Sequence, residues 1–219
     1  MDELVEHVIQ DIKEYLDSNH KEILFNERDF QMHLAMWLEQ SANTYTDVDL
    51  EYYIPNRELD SYNWDSELRL DLLVHKDDEY LPIELKYKTK KVVKQLMRFD
   101  EMLEDVEVVK NQSAKNLGCY DFWKDVRRLE LVRKRFNKVK HGIAVFMTND
   151  KVYKSHINET ANSYYFCMGE GKHSVEKKWN NDCKIKEGRP SFTVEKEYEI
   201  NWKETNYEGI NFWYCIVKI

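Results

Sequence analysis

Residues 68–87 read LRLDLLVHKDDEYLPIELKY. Two apolar arms rich in Leu, Val, Ile and Tyr flank the polar turn-former cluster HKDDE, which predicts a β-hairpin with arms at 68–75 and 80–87. Strand side chains alternate. Arg69, Asp71, Leu73 and His75 are therefore expected on one face of the first arm, and Pro82, Glu84 and Lys86 on one face of the second. A turn symmetric about Asp77 and Asp78 sets Asp71 directly opposite Glu84, with Cβ atoms about 4.5–5.5 Å apart. Two opposed carboxylates repel each other. A shared proton relieves the repulsion, and so does a divalent cation. Lys86 favours the cation, because its ammonium keeps both carboxylates ionised. Hard oxygen ligands completed by water suit Mg²⁺ or Mn²⁺. The plainer alternative is a solvated ion pair between Lys86 and Glu84, worth about 0–1 kcal/mol.

The flanking sequence builds a domain around this hairpin. Leu4, Val8, Ile12 and Leu16 recur at helical spacing and predict a helix over 3–17. Asn26 is a good N-cap for a second helix. Glu27 and Asp29 in its first turn suit the helix dipole, and Phe30, Leu34, Trp37 and Leu38 form its apolar stripe. Glu27 lies on the edge of that stripe and is expected to face the protein. Val48, Leu50, Tyr52 and Ile54 alternate with polar residues as in a half-buried strand ended by Pro55. Val92, Leu96, Phe99, Leu103 and Val106 predict a helix over 90–110, and a further helix is expected over 113–137. The apolar run HGIAVFMT (141–148) reads as a central strand covered on both faces. SYYFCM, SFTVEKEYEI and the C-terminal INFWYCIVKI read as more strands, the last extending the sheet. The expected class is α/β (α+β), a mixed sheet flanked by helices.

Length and composition agree with one domain over 1–219: 42% of the 219 residues are hydrophobic and 13% aromatic, enough to build a core. No apolar run approaches the roughly 20 residues that span a bilayer, and the acidic, amphipathic N-terminus does not read as a secretory signal. Cys119, Cys167, Cys183 and Cys215 form no CxxC pair and have no zinc-ligand spacing, so reduced thiols in a cytoplasmic protein are expected. The net charge of −8 opposes phosphate binding, but cations cluster locally. Glu84 is the only acid among Lys86, Lys88, Lys90, Lys91, Lys94 and Arg98. Lys124, Arg127, Arg128, Arg133, Lys134, Arg135, Lys138 and Lys140 stand against Asp125 and Glu130. Solvated helix faces would produce the same clusters. No GxSxG, GxxxxGK or GxGxxG is present.

Asp71, followed by Glu84-Leu85-Lys86 on the other arm of a hairpin, resembles the PD-(D/E)xK nuclease superfamily, the restriction endonuclease-like enzymes. That core runs helix, three strands, helix, strand, the order read here from Asn26 to Thr148. The resemblance covers about 26–150, with 1–25 and the strands of 151–219 as additions. Leu70 stands where the family name has proline. The resemblance implies metal-dependent hydrolysis of phosphodiester bonds in nucleic acid, DNA before RNA. Asp71, Glu84 and the Leu85 carbonyl would hold Mg²⁺ or Mn²⁺, Glu27 would complete the site, and Lys86 would orient or activate a water. Lys88, Lys90, Lys91, Gln112, Arg127 and Arg128 are the expected nucleic-acid contacts, with Tyr120 beside Gln112. Action on both strands would call for a homodimer. Two alternatives have other signatures. One is an inactive nucleic-acid-binding or regulatory module on the same fold. The other is an interaction protein in which Asp71 and Glu84 point apart into solvent.

Overall fold

The computed structural model describes residues 3–18, 23–40, 45–112, 114–181 and 186–219. In chain order its helices are α1 (Glu3–Asp17), α2 (Glu27–Gln40) and α3 (Lys115–Arg135). Its strands are β1 (Asp47–Ile54), β2 (Leu68–Lys76), β3 (Glu79–Lys88), β4 (Val92–Arg98), β5 (Glu101–Val109), β6 (Ile143–Thr148), β7 (Gly171–His173), β8 (Glu176–Lys177), β9 (Phe192–Thr193), β10 (Tyr198–Ile200), β11 (Lys203–Tyr207) and β12 (Ile210–Lys218). The start of α2 follows its sequence signal. The Asn26 side chain accepts from the Asp29 N–H at 3.0 Å, and the Asp29 carboxylate accepts from the Phe25 N–H at 3.0 Å. Two otherwise unpaired donors are thereby satisfied reciprocally.

Six strands form the main sheet in the order β1-β2-β3-β6-β12-β11. Only β3 and β6 run parallel; the other neighbours are antiparallel. A parallel pair needs a crossover, and the chain makes it through α3. All six residues of β6 are buried, as its unbroken apolar run requires of a central strand. Alternate side chains feed two cores. Leu81, Ile83, Leu85 and Tyr87 of β3 pack with Val8, Ile12, Phe30 and Leu34 of α1 and α2. On the opposite face, Leu70, Ala144 and Phe146 pack with Phe122, Val126 and Leu129 of α3, along with Trp179, Phe192 and Tyr198 from the C-terminal part of the chain.

Four sequence expectations need correction. Residues 90–110 are not helical; they form the two-stranded ribbon β4–β5. Val92 and Leu96 fit a helical stripe, but positions four apart also share a strand face, and the observed burial alternates with period two. Abundant Val tips the balance towards strand. SYYFCM holds a short 3-10 turn at Tyr164–Phe166. SFTVEKEYEI contributes β9 and β10 to separate two-stranded ribbons, so only β11 and β12 extend the main sheet. Leu50 and Tyr52 are exposed on β1, the outermost strand, rather than half-buried. Cys119, Cys167 and Cys215 are free thiols; Cys183 lies outside the described residues. Among the described residues no helix is long and apolar enough to cross a membrane.

Candidate active site

The hairpin forms with the expected register. Asp77 and Asp78 make the turn, and the pairs run from Lys76 with Glu79 to Leu72 with Ile83. The ladder stops there, one step before Asp71 and Glu84. The reason lies at Asp71. Leu68 and Leu70 pack in the α3-side core, whereas Leu72 and Val74 pack against α1 and α2. All four are even-numbered, so the alternation of β2 changes phase at Asp71. On β1, Glu51 stands across from Asp71 and falls out of the β1–β2 ladder. Its φ of 52° is an unusual backbone state for a residue with a side chain. Irregularities of this kind re-aim a side chain beside functional sites. They also correct one expectation: Arg69 and Leu73 do not share a face.

Gln31 of α2, 6% exposed, braces this kink. Its Nε2 donates to the Asp71 carbonyl at 2.7 Å and to Glu51 Oε1 at 2.8 Å. Past Ile83 the N–H groups of β3 that face β2 find side chains instead of a strand. Leu85 N–H donates to Asp71 Oδ2 at 2.6 Å, and Tyr87 N–H donates to Glu27 Oε2 at 2.8 Å. Glu27 at the start of α2 therefore faces the sheet and meets β3.

Glu84 and Lys86 alternate with Ile83, Leu85 and Tyr87 and so face α3. Glu84 is 3% exposed, and its Oε1 is buried without a hydrogen-bond partner. Lys86 does not form a surface pair with Glu84, the plainer alternative. Its Nζ lies 2.8 Å from Asp125 Oδ2 of α3, donates to the Leu85 carbonyl at 3.0 Å, and lies 4.0 Å from Glu27 Oε1. Asp125 in turn receives Arg128 Nη1 at 3.4 Å, and Arg128 Nη2 donates to Tyr62 Oη and Ser66 Oγ at 2.8 Å each.

Burial dominates the electrostatics. It pushes the Asp71 carboxyl up to about 6, against the opposing pull of Lys86 and the Leu85 N–H. Burial, reinforced by Asp125 and Asp71, lifts Glu84 well above the usual carboxylate range. For Lys86 burial works downward, but Asp125, Glu27, Asp71 and Glu84 together overcome it and hold the ammonium well above the ordinary lysine value. The site thus keeps Lys86 charged while penalising charge on its two central carboxylates.

Among the described residues no group of three or more His, Cys, Asp and Glu side chains is gathered for a metal. The donors that are present nonetheless suit a hard cation. They are oxygens, two of them belong to carboxylates that gain from added positive charge, and Glu84 Oε1 is an orphaned buried acceptor of the kind that calls for a partner. The Leu85 carbonyl, expected as a third donor, accepts from Lys86.

The expected nucleic-acid contacts divide. Lys88 Nζ lies 3.9 Å from Glu27 Oε2, at the site. The main chain of exposed Lys90 is clasped by the Asn149 side chain, and Lys91 pairs with Glu107 on β5 at 2.8 Å. Gln112 has a buried side-chain oxygen without a partner, and Tyr120 is a core residue that accepts from Trp64 Nε1 at 2.8 Å. Arg127 turns to the buried Glu130 at 2.9 Å, and Arg128, 9% exposed, spends both Nη groups on Asp125, Tyr62 and Ser66 while its Nε is buried without a partner. Asp125 and Gln31 are the residues that sequence reasoning missed. Asp121, Asp125 and Arg128 recur at helical spacing between the core residues Phe122, Val126 and Leu129. That pattern could have marked a polar stripe of α3 turned towards the sheet. Gln31 carries no comparable signal. Comparison of the chain with protein-family models, curated proteins and solved structures gave no match.

Proposed function

We propose that the chain is a metal-dependent nuclease, hydrolysing phosphodiester bonds of nucleic acid, with DNA as the first substrate to try. The observation that carries this reading is that Asp71 and Glu84 come close enough where β2 and β3 part for Asp71 to raise the Glu84 carboxyl, with Glu84 Oε1 buried and unpartnered and Lys86 two residues further along β3. The resemblance to the PD-(D/E)xK superfamily supports it through the order of elements, with α2, three strands, α3 and β6 following one another apart from the inserted β4–β5 ribbon. Asp71 and Glu84 would hold Mg²⁺ or Mn²⁺, with Glu27 close by. A divalent ion bound there supplies a water of lowered pKa and polarises a phosphate oxygen.

The chain's own groups have separable tasks. Lys86, held charged, donates hydrogen bonds to a water or phosphate oxygen and offsets negative charge that develops there. Gln31 fixes the Asp71 main chain and the Leu85 N–H fixes its carboxylate against drift. Lys88 and Lys90 attract the phosphate backbone without reading sequence.

The test is cleavage of DNA and RNA with Mg²⁺, Mn²⁺ or EDTA. Activity is expected with either ion and not with EDTA, and Asp71→Ala and Lys86→Ala should each lower it by about 100-fold or more. Metal-dependent cleavage that survives both substitutions sinks the assignment.

A further inference from the structure

We infer that Asp125 is a positioning residue for Lys86, and that Arg128, Tyr62 and Ser66 hold Asp125 in place for that task. This rests on the nuclease reading of the same site. A lysine ammonium rides on a flexible four-carbon stem, so a lysine that must meet a reacting oxygen needs something to fix it. Here one N–H donates to the Leu85 carbonyl at 3.0 Å, and the ammonium makes a close ion pair with Asp125 Oδ2 at 2.8 Å, although that oxygen receives no hydrogen bond. The ammonium keeps N–H capacity for a water or a phosphate oxygen. Among the described residues Glu27 Oε1, at 4.0 Å, is the only other anion within ion-pair range, so the closest fixed anchor comes from α3.

Asp125 is itself immobile. It is 2% exposed, on a helix that packs against both β3 and β6. Arg128 one turn later pairs with its other oxygen at 3.4 Å. The Arg128 guanidinium is tied at 2.8 Å to Tyr62 Oη and at 2.8 Å to Ser66 Oγ, both in the segment leading into β2. A relay therefore runs from the chain before β2, through α3, to the ammonium on β3. One end lies just before β2, which carries Asp71, and the other lies on β3, which carries Glu84. The relay also accounts for two buried ionic residues that the fold does not need, since the apolar neighbours of Asp125 and Arg128 already pack α3 onto the sheet. Displacement of a reacting group by about 1 Å can cost about 100-fold in rate, which makes such bracing worth having.

The test measures Lys86 directly and apart from cleavage. NMR of ¹⁵N-lysine-labelled protein, with the signal assigned by its loss in Lys86→Ala, reports how restricted the ammonium is. Wild-type Lys86 is expected to be rigid and the Asp125→Asn variant mobile, with Asp125→Glu between them. In cleavage assays Asp125→Asn should lower kcat about tenfold or more and leave KM within about twofold. Because Asp125→Asn puts a folded core at risk, the double variant Tyr62→Phe, Ser66→Ala loosens only Arg128 and should shift Lys86 mobility in the same direction by less. Lys86 equally rigid in Asp125→Asn, or kcat kept within twofold, overturns the inference. If no protein in the series cleaves, the nuclease reading falls, while the mobility measurement still decides whether Asp125 fixes Lys86.

Discussion

Two largely enclosed lysines show how much a charge depends on single neighbours. Lys177 is fully buried, with Nζ 3.4 Å from the centre of the Trp123 ring and no hydrogen-bond partner. Burial pushes it down to about 7. Lys86 is also held in the interior, yet Asp125 and its fellow acids raise it. The difference is the carboxylates, and they carry the complementary cost. Asp71 has a folded-state pKa of about 6 against about 3.9 in an unfolded chain. Its ionised form is therefore penalised in the fold. The penalty is complete above pH 6 and disappears as the pH falls from 6 towards 4, where the folded protein takes up the proton first. Asp71→Asn should thus stabilise the metal-free protein by about 1–3 kcal/mol at pH 7.5 and by almost nothing at pH 4. Urea denaturation in EDTA at the two pH values measures it. A gain of equal size at both would show that the carboxylate is not penalised, and would remove the physical reason for a cation there.

At the scale of elements, the β4–β5 ribbon is the part of the fold that helical periodicity misread. Its turn explains why a local reading could fail. Phe99 and Asp100 both have positive φ, 51° and 63°, which a two-residue hairpin turn of the favoured hand requires. Asn-Gly is the usual signal for such a turn; Phe-Asp is not. With the turn hidden, 92–106 looked like one continuous stripe. Phe99 is 99% exposed, so it buries nothing in exchange for the strained backbone. Replacing Phe99-Asp100 with Asn-Gly should raise Tm by about 2–4 °C, read by differential scanning calorimetry. An unchanged or lower Tm would mean that the tip is not held in the left-handed region. The β2–β3 hairpin was legible for the opposite reason. Asp77-Asp78 sits between two apolar arms of matched length, so turn and pattern agree. The phase change at Asp71 was not legible, because it arises from a kink shared with Glu51 and braced by Gln31 of α2, a contact 40 residues distant in the chain. What placed the site in the sequence was residue type and spacing; what shapes it is tertiary contact.

For the whole molecule, charge is the feature that bears most on a nucleic-acid substrate. Acids outnumber Lys and Arg by 41 to 33, so long-range attraction of a polyanion is weak and binding must rely on a few cations near the site. Most of the α3 cations are spoken for. Arg127 pairs with Glu130, Arg128 with Asp125, Arg133 with Glu195 and Arg135 with Glu58, and just past the helix Lys138 pairs with Asp78. Lys88, beside Glu27, and the exposed Lys90, fixed to Asn149, remain on the stretch that leaves β3. Each phosphate contact contributes about −0.9 to the slope of log affinity against log salt on duplex DNA. Lys88→Ala with Lys90→Ala should therefore reduce that slope by about 2 and weaken binding equally across unrelated sequences. Arg127→Ala should leave the slope unchanged, since its guanidinium faces a buried carboxylate. Fluorescence anisotropy with labelled DNA between 50 and 200 mM salt, with Ca²⁺ to hold the site without cleavage, separates the two variants. A slope altered by Arg127→Ala but not by the lysine pair would move the nucleic-acid path from the end of β3 to the outer face of α3, and Lys86 would then lie off that path.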